Sequence, residues 1–206
     1  MERIVRCSSC RPSAAHTISV MRILACADLH GRDERIARVR ALAIEHAPAV
    51  VLLPGDLTDA GHGHEALALL RTLPMPVLAV PGNMDDPRAA AEIARLGSLA
   101  GEEPAVIEGV SFGGPRVRTA CDVLVTHEPP AGVLDLARSG QHIGTRTVLD
   151  LLTRLRPRVL TCGHVHEAPG IERFGETLVI NCTMGDGRTG GALIEITQEN
   201  VTARLL

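Results

Sequence analysis

An alternation of short apolar runs with amphipathic stretches constrains the fold of this chain more than any other sequence feature. The apolar runs predict strands, and the amphipathic stretches predict helices with one apolar face. The predicted strands are residues 23–27, 50–53 and 77–80, and the predicted helices are residues 34–46, 65–73 and 87–96. Continuous apolar strands separated by helices are typical of a buried, largely parallel sheet.

After Gly101 the pattern changes to shorter strands punctuated by glycine. One further helix is predicted at residues 145–155. The predicted strands are residues 105–107, 110–113, 122–126, 159–162, 170–174, 177–181, 191–197 and 201–205. They alternate or form hairpins, which implies a second, mixed or antiparallel sheet. We therefore predict an α/β fold, a four-layered α/β/β/α sandwich with two mixed sheets.

The first 20 residues do not fit this pattern, because they are polar and broken and lack the apolar centre of a secretory signal. We expect residues 1–20 to be a disordered or mis-called extension, with Met21 as a hypothetical true start and residues 21–206 as one domain. Cys7 and Cys10 have the spacing of half a zinc site, but no second pair follows. We interpret them as a spare pair in the extension.

Composition narrows the partners and the compartment. The chain is 45% hydrophobic with no Trp or Tyr, so its core must be aliphatic. The net charge of −3 and the scattered arginines make duplex nucleic acid an improbable partner. No apolar run approaches the roughly 18 residues that a membrane span needs. The four other cysteines lie singly in apolar runs, where they act as small hydrophobes, and this favours a cytoplasmic location. A homo-oligomer is compatible with these features.

Polar side chains cluster where five of the predicted apolar strands end. In open α/β sheets, ligands bind outside such carboxyl ends, so these side chains should face one crevice. Seen singly, each is more often a helix cap, a turn former or a surface histidine. The set comprises Asp28, His30, Asp56, Asn83, His127, His164 and His166. Their mixture of imidazole, carboxylate and carboxamide groups suits divalent Mn, Fe, Zn, Co or Ni.

In order and spacing these motifs resemble those of the calcineurin-like metallophosphoesterases, over residues 22–181. The motifs are Asp28-x-His30, Gly55-Asp56, Gly82-Asn83-x-Asp85, His127 and Gly163-His164-x-His166. The segments around His127, Gly144-Thr145 and His164 further resemble the cyclic-nucleotide phosphodiesterase-like and MPPED-type branch.

The resemblance implies two divalent transition metal ions, with Mn favoured. Asp28, His30, Asp56 and His166 would bind one ion, and Asp56, Asn83, His127 and His164 the other. Asp56 would bridge the ions, and Asp56 and Asn83 would carry the catalytic role. The implied function is that of a phosphodiesterase, with a small phosphate ester such as a nucleotide diester hydrolysed by a metal-activated hydroxide.

Met84 departs from the family pattern, because many members carry a histidine there that helps to neutralise or protonate the leaving oxygen. A thioether cannot donate a proton, so we predict a preference for diesters with good leaving groups over alkyl phosphomonoesters. Met84 and Arg32 are expected to contact substrate, and Arg146 is a weaker candidate. Five residues on predicted loops could supply the missing proton instead, although a solvated loop residue is the simpler interpretation of each. They are Asp85, Asp86, His62, His64 and His142.

Two other functions remain open at this point. Met84 favours a metal-supported binding scaffold with little turnover, although a scaffold has no need of the full ligand set. A nuclease is disfavoured by the weak basic character of the chain.

Overall fold

The computed structural model describes residues 20–206. The predictions for the extension, including the Cys7 and Cys10 pair, lie outside the described residues. Four helices are found in the described part of the chain: α1 (Asp33–His46), α2 (His64–Leu70), α3 (Pro87–Gly97) and α4 (Arg146–Leu155). None of them is long and apolar enough to cross a membrane.

The same residues form eleven strands. They are β1 (Met21–Ala25), β2 (Val50–Pro54), β3 (Val77–Val80), β4 (Ala105–Ile107), β5 (Val110–Gly113), β6 (Val123–Val125), β7 (Val159–Cys162), β8 (Gly170–Phe174), β9 (Thr177–Asn181), β10 (Ala192–Ile196) and β11 (Val201–Leu205).

The first sheet has the order β11-β10-β1-β2-β3. β1, β2 and β3 are parallel, as the βα pattern predicts. The hairpin of β10 and β11 pairs with β1 antiparallel, with Ile23 opposite Ile194. The implication that these two strands belong to the second sheet is therefore wrong. β10 is almost entirely buried, which fits an interior position in the sheet, whereas the alternating exposure of β11 fits an edge.

The second sheet has the order β4-β5-β6-β7-β9-β8. β5, β6, β7 and β9 are parallel, and β4 and β8 add antiparallel edges. The two sheets face each other over an aliphatic core that includes Ile23, Leu52, Val123 and Ile180. Residues of α1, α2 and α3 pack on the outer face of the first sheet, and α4 packs on that of the second. The predicted four-layered sandwich with two mixed sheets is confirmed.

The end of β1 differs from the prediction and brings the two sheets together. β1 ends at Ala25 instead of residue 27, because the chain then leaves the first sheet. Cys26 N–H still donates to Leu52 O of β2 at 3.0 Å, but Ala27 N–H donates to Cys182 O at 3.1 Å, beyond the end of β9. Residues directly after β1 thus lie between the carboxyl ends of both sheets.

Candidate metal centre

The loops at the carboxyl ends of five strands converge on one crevice. Parallel β1, β2 and β3 deliver one group of side chains, and parallel β6 and β7 deliver the other. The structure brings the predicted ligand residues together as one cluster, here called the ligand cluster: Asp28, His30, Asp56, Asn83, His127, His164 and His166. Their role as metal ligands remains a prediction.

One half of the ligand cluster contains Asp28, His30 and His166. His30 Nε2 lies 3.2 Å from His166 Nε2, and His166 Nε2 lies 3.7 Å from Asp28 Oδ1. One ligand atom from each of the three residues lies within 4.8 Å of the others, a spacing that can hold a metal ion. Asp28 is fully buried, and its carboxylate also accepts the backbone N–H of His164.

The other half contains Asn83, His127 and His164. Asn83 Oδ1 lies 2.9 Å from both His127 Nε2 and His164 Nδ1. Asp56 stands between the halves, because its Oδ2 is 3.4 Å from His127 Nε2 and 3.9 Å from His30 Nε2. Asp56 is thus a carboxylate that lies near both halves, and one oxygen each of Asp28 and Asp56 lies within 4.8 Å of a His127 ring nitrogen.

The chemistry of the donor set fits a bound cation. His127 Nδ1 faces Pro54 O at 3.0 Å, so in a neutral ring we assign the proton to Nδ1. Its Nε2 then carries a lone pair that faces two further acceptors, Asn83 Oδ1 and Asp56 Oδ2. Facing acceptors require either an extra proton or a cation. A ring N–H held by a backbone carbonyl is also the usual outer support of a ligating histidine.

Burial and neighbouring charges shift the pKa values of the histidines of the cluster in different directions. Burial lowers the pKa of His30 and of His164 below the ordinary value. The hydrogen bond from His166 to Asp28 raises the pKa of His166. Burial acts to lower the pKa of His127, but the hydrogen bond and charge of Asp56 outweigh it and raise that pKa. Each pair of neighbouring imidazoles therefore combines one ring whose pKa is lowered with one whose pKa is raised.

Asp56 stays ionised in this environment. Burial acts to raise its pKa, but the hydrogen bond and charge of His127 and the Met84 N–H, at 2.8 Å from Oδ1, hold that pKa below the ordinary value. An ionised carboxylate among imidazole nitrogens is a set of groups that can bind a divalent metal ion.

The backbone of the ligand cluster is strained. Asp28, His30, Asp56 and His164 have φ between 50° and 69°, a region that non-glycine residues seldom adopt. Such conformations cost on the order of 1–3 kcal/mol each and persist where the surrounding structure imposes them. Gly82 allows the close packing: a Cβ there would lie 2.2 Å from Asp56 Oδ1.

Three residues support the loops of the ligand cluster in ways that were not predicted from the sequence. Arg35 Nη1 donates to Asp28 O at 2.7 Å, and Asn181 Nδ2 donates to Val165 O, between His164 and His166, at 2.9 Å. Asp85 is not a solvated loop residue: it accepts hydrogen bonds from the backbones of Leu57, Thr58 and Gly82 and so ties the β2 and β3 loops together. The Gly-Asn-x-Asp motif could have identified Asp85 as a structural residue. No sequence motif marks Arg35 or Asn181.

The predicted substrate-contact residues differ in their relation to the cluster: the arginine side chains pair elsewhere, and Met84 joins the network only through its backbone. Arg32 is exposed, 4.0 Å from Glu34, and Arg146 pairs with Asp150 on α4 at 3.0 Å. Their substrate contacts stay predictions. Met84 is half-buried, with its backbone N–H on Asp56.

The candidate substitute acids are placed around this network. His142 binds buried Asp135 at 2.6 Å. His64 lies 3.5 Å from Asp86, which caps α3. His62 and His64 line a cavity of about 770 Å³ next to Gly31. The described residues show no hydrogen bond or ion pair from these histidines to the ligand cluster.

The cysteines near the crevice belong to the core, as predicted. Cys26, Cys162 and Cys182 are fully buried. Burial raises the pKa of the Cys26 thiol to about 12 and raises the pKa of Cys162 further still. These thiols therefore stay protonated at neutral pH and pack as small apolar side chains in the core.

The chain is similar to a protein family and to individual relatives. Residues 21–168 match the family model of the calcineurin-like phosphoesterases. The chain is 26% identical to the uncharacterized protein MJ1162 of Methanocaldococcus jannaschii, over 80% of this chain and 88% of that protein. It is 35% identical to human metallophosphoesterase domain-containing protein 1, over 31% of this chain and 20% of that protein.

The fold recurs in solved structures. One is described as a novel archaeal phosphodiesterase, with a TM-score of 0.60 and 17% identity. The match covers 90% of this chain and 100% of that one.

Proposed function

The chain belongs to the calcineurin-like phosphoesterase family, and from this premise we propose that it is a dimetal-dependent phosphodiesterase acting on small organic phosphodiesters. The observation that carries the proposal is the position of Asp56. Its Oδ2 lies between His30 and His127, so one carboxylate reaches two separate sets of ligand atoms. Asp28, His30, Asp56 and His166 would hold one ion, and Asp56, Asn83, His127 and His164 the second.

Two divalent ions bound there would supply Lewis-acid charge to a phosphate ester and lower the pKa of a water molecule. Nitrogen and oxygen ligands favour Mn, Fe, Zn, Co or Ni over metals that prefer thiolates, and we propose Mn²⁺. With two such ions the site would carry about two net positive charges against Asp28 and Asp56, and would attract anionic phosphate.

Asn83 has a second use in this proposal. Its Oδ1 faces His127 and His164, which assigns the opposite side of the amide to the Nδ2 donor. Asn83 is exposed, so that donor is open to a bound molecule. We assign it to a non-bridging phosphate oxygen, where it would stabilise charge that grows during the displacement. Asp56 and Asn83 are therefore the catalytic residues of the proposal.

Met84 supports diesters with good leaving groups as the substrate class. Residue 84 cannot donate a proton. Among the described residues, His62, His64 and His142 form no hydrogen bond or ion pair with the ligand cluster. A missing general acid typically costs about 10²–10⁴ in rate, and the cost is largest for an alkoxide leaving group. A nitrophenolate leaves without protonation, so the chain should act well on activated diesters and poorly on alkyl phosphomonoesters.

The test is an assay of metal-stripped protein before and after addition of Mn²⁺. Substrates are bis(4-nitrophenyl) phosphate, 4-nitrophenyl phosphate, cyclic nucleotides and single-stranded DNA. We expect Mn²⁺-dependent turnover that is fastest on bis(4-nitrophenyl) phosphate. Asp56→Asn should lower it by roughly 10³-fold, because it weakens both ion sites at once. Asp150→Asn, an exposed aspartate on α4, is the matched control and should have no effect.

Met84 also favours a second candidate, a metal-binding scaffold with little turnover. Mn²⁺ binding without turnover of any substrate in this panel would support the scaffold and reject the phosphodiesterase. Turnover confined to single-stranded DNA would instead identify a nuclease.

A further inference from the structure

A cleft of about 630 Å³ opens beside the ligand cluster, a volume typical of small-molecule sites. His166 belongs to both, since it lies 3.2 Å from His30 in the cluster and also lines the cleft. We call this the arginine cleft and define it by Leu136, Arg138, His166, Glu167, Asp186 and Arg188. A substrate held at the ligand cluster can therefore extend past His166 into the arginine cleft.

The two arginines of this cleft have free donors. Among residues 20–206 the Arg188 guanidinium forms no ion pair and no hydrogen bond, and only its backbone N–H is engaged, by Asp186 at 3.0 Å. The Arg138 side chain is 89% exposed, and its Nε is 4.0 Å from Glu167 Oε1, too far for a hydrogen bond. An exposed ion pair of this kind contributes little to the stability of the fold, so Arg138 can leave Glu167 and bind a ligand instead.

The carboxylate beside Arg188 does not compete for its guanidinium. Asp186 accepts hydrogen bonds from the backbone N–H groups of Arg188 and Thr189 and from the Thr189 hydroxyl, at 2.9 to 3.0 Å. These bonds hold the 186–189 turn. The guanidinium group is a planar fork whose N–H donors match phosphate oxygens, so the cleft offers two forks to an anion.

The loop that carries Leu136 and Arg138 is held in place by the buried side chain of Asp135. Asp135 is buried and accepts hydrogen bonds from Gly132 N–H at 2.8 Å, Gly144 N–H at 3.2 Å and His142 Nδ1 at 2.6 Å. Next to it, Leu136 lines the cleft with 49% of its surface exposed. The cleft thus combines an apolar contact with two cationic groups, which suits an organic substituent that ends in an anion.

Resting on the proposed function, we infer that the arginine cleft binds a second phosphate group, carried on an organic substituent of the diester substrate. Arg188 and Arg138 are the specificity-determining residues, and Leu136 contacts the organic part. The substrate class is therefore a phosphodiester with a further terminal phosphate.

A matched substrate pair tests this inference: thymidine 5′-(4-nitrophenyl phosphate) and its 3′-phosphorylated counterpart. Both release nitrophenolate from the same phosphorus and differ only in the terminal phosphate. We expect kcat/KM to be roughly ten- to a hundredfold higher for the phosphorylated compound, the effect of one or two charge-assisted hydrogen bonds. Arg188→Gln and Arg138→Gln should each lower that ratio several-fold. Arg173→Gln, an exposed arginine on β8, is the matched control and should keep it.

A binding measurement separates this inference from the proposed function. Calorimetry compares thymidine 3′,5′-bisphosphate with thymidine 5′-phosphate on Mn²⁺-loaded protein. If neither diester turns over, the proposed function fails, while tighter binding of the bisphosphate that Arg188→Gln abolishes would still support the cleft. Equal kcat/KM and equal affinity for the two members of each pair would overturn the inference. A preference that survives both arginine variants would overturn it as well.

Discussion

The ligand cluster and the arginine cleft share His166 but are built in opposite ways. The cluster consists of side chains on short loops at strand ends, with four strained backbone positions and a buried carboxylate, Asp56, between its halves. The two arginines of the cleft are exposed side chains on two other loops, and one aspartate holds each of these loops. The difference indicates a division of labour: fixed geometry for chemistry, and adjustable loop side chains for selectivity.

Among changes that keep every proposed metal ligand, the largest effect should come from Gly82→Ala. In Gly82→Ala the new Cβ would lie 2.2 Å from Asp56 Oδ1, so the carboxylate must move. A displacement of about 1 Å typically costs about 10²-fold in rate, and we expect at least that loss of Mn²⁺-dependent turnover. Gly101→Ala is the control, since its nearest neighbour would be 3.7 Å away. Normal activity in Gly82→Ala would contradict the rigid cluster.

Mn²⁺ binding should stabilise the ligand cluster and leave the arginine cleft unchanged, and metal removal should reverse this. An ion that binds only the folded state stabilises it by about 2.7 kcal/mol at a hundredfold excess over Kd. At roughly 2–4 °C per kcal/mol for a chain of this size, Mn²⁺ should raise Tm by about 5–10 °C. Hydrogen exchange should slow at the strand-end loops and stay unchanged in the loop around Arg138. A shift of equal size in Asp56→Asn would place the ion elsewhere.

Met84→His tests whether the cluster lacks only an acid. An imidazole could protonate an alkoxide leaving group, so turnover of the methyl ester of thymidine 5′-phosphate should rise roughly ten- to a hundredfold. The 4-nitrophenyl ester should change little, because its leaving group needs no proton. Met84→Leu, which adds no donor, should behave like the unmodified chain. Equal or reduced rates of Met84→His on both esters would reject the idea.

The smallest effect should come from loosening the loop below the cleft. Asp135→Asn removes the charge and replaces one of the two acceptor oxygens with an NH2 donor, so at least one of the three hydrogen bonds to this side chain is lost or weakened, which should lower the free energy of unfolding by on the order of 2 kcal/mol. The preference for the 3′-phosphorylated diester should fall a few-fold. Asp150→Asn, in an exposed pair, should change neither quantity measurably. An unchanged phosphate preference in Asp135→Asn would show that this loop does not support the cleft.

The pH dependence of that stability loss has a definite sign. Burial acts to raise the pKa of Asp135, but the hydrogen bonds from His142, Gly132 and Gly144 outweigh it and hold the folded-state pKa below the ordinary value. A depressed carboxyl pKa stabilises the fold above the unfolded value of about 3.9 and stops doing so as pH falls through the folded value. Urea unfolding should therefore show the full difference between the unmodified chain and Asp135→Asn at neutral pH and a shrinking one below about pH 4.

Local sequence patterns predicted most of the fold. The βα alternation predicted parallel β1, β2 and β3, since a strand buried on both faces is apolar at every position. Local patterns did not predict that β10 and β11 belong to the first sheet, because β10 pairs with β1, which is distant in sequence, and such pairing leaves no local pattern. The local patterns also extended β1 by two residues, since Cys26 and Ala27 are as apolar as the strand although they leave the sheet.

What the sequence determined by itself was the set of chemical groups at the crevice, because parallel strands present their carboxyl ends at one edge and residue type fixes donor chemistry. Tertiary structure alone decided which atoms meet. It placed Asp56 between His30 and His127, and it brought Arg138 and Arg188, 50 residues apart in number, to one cleft beside His166. Exposed arginines have no periodicity or spacing that marks them, so only the packing of the two loops reveals what they face.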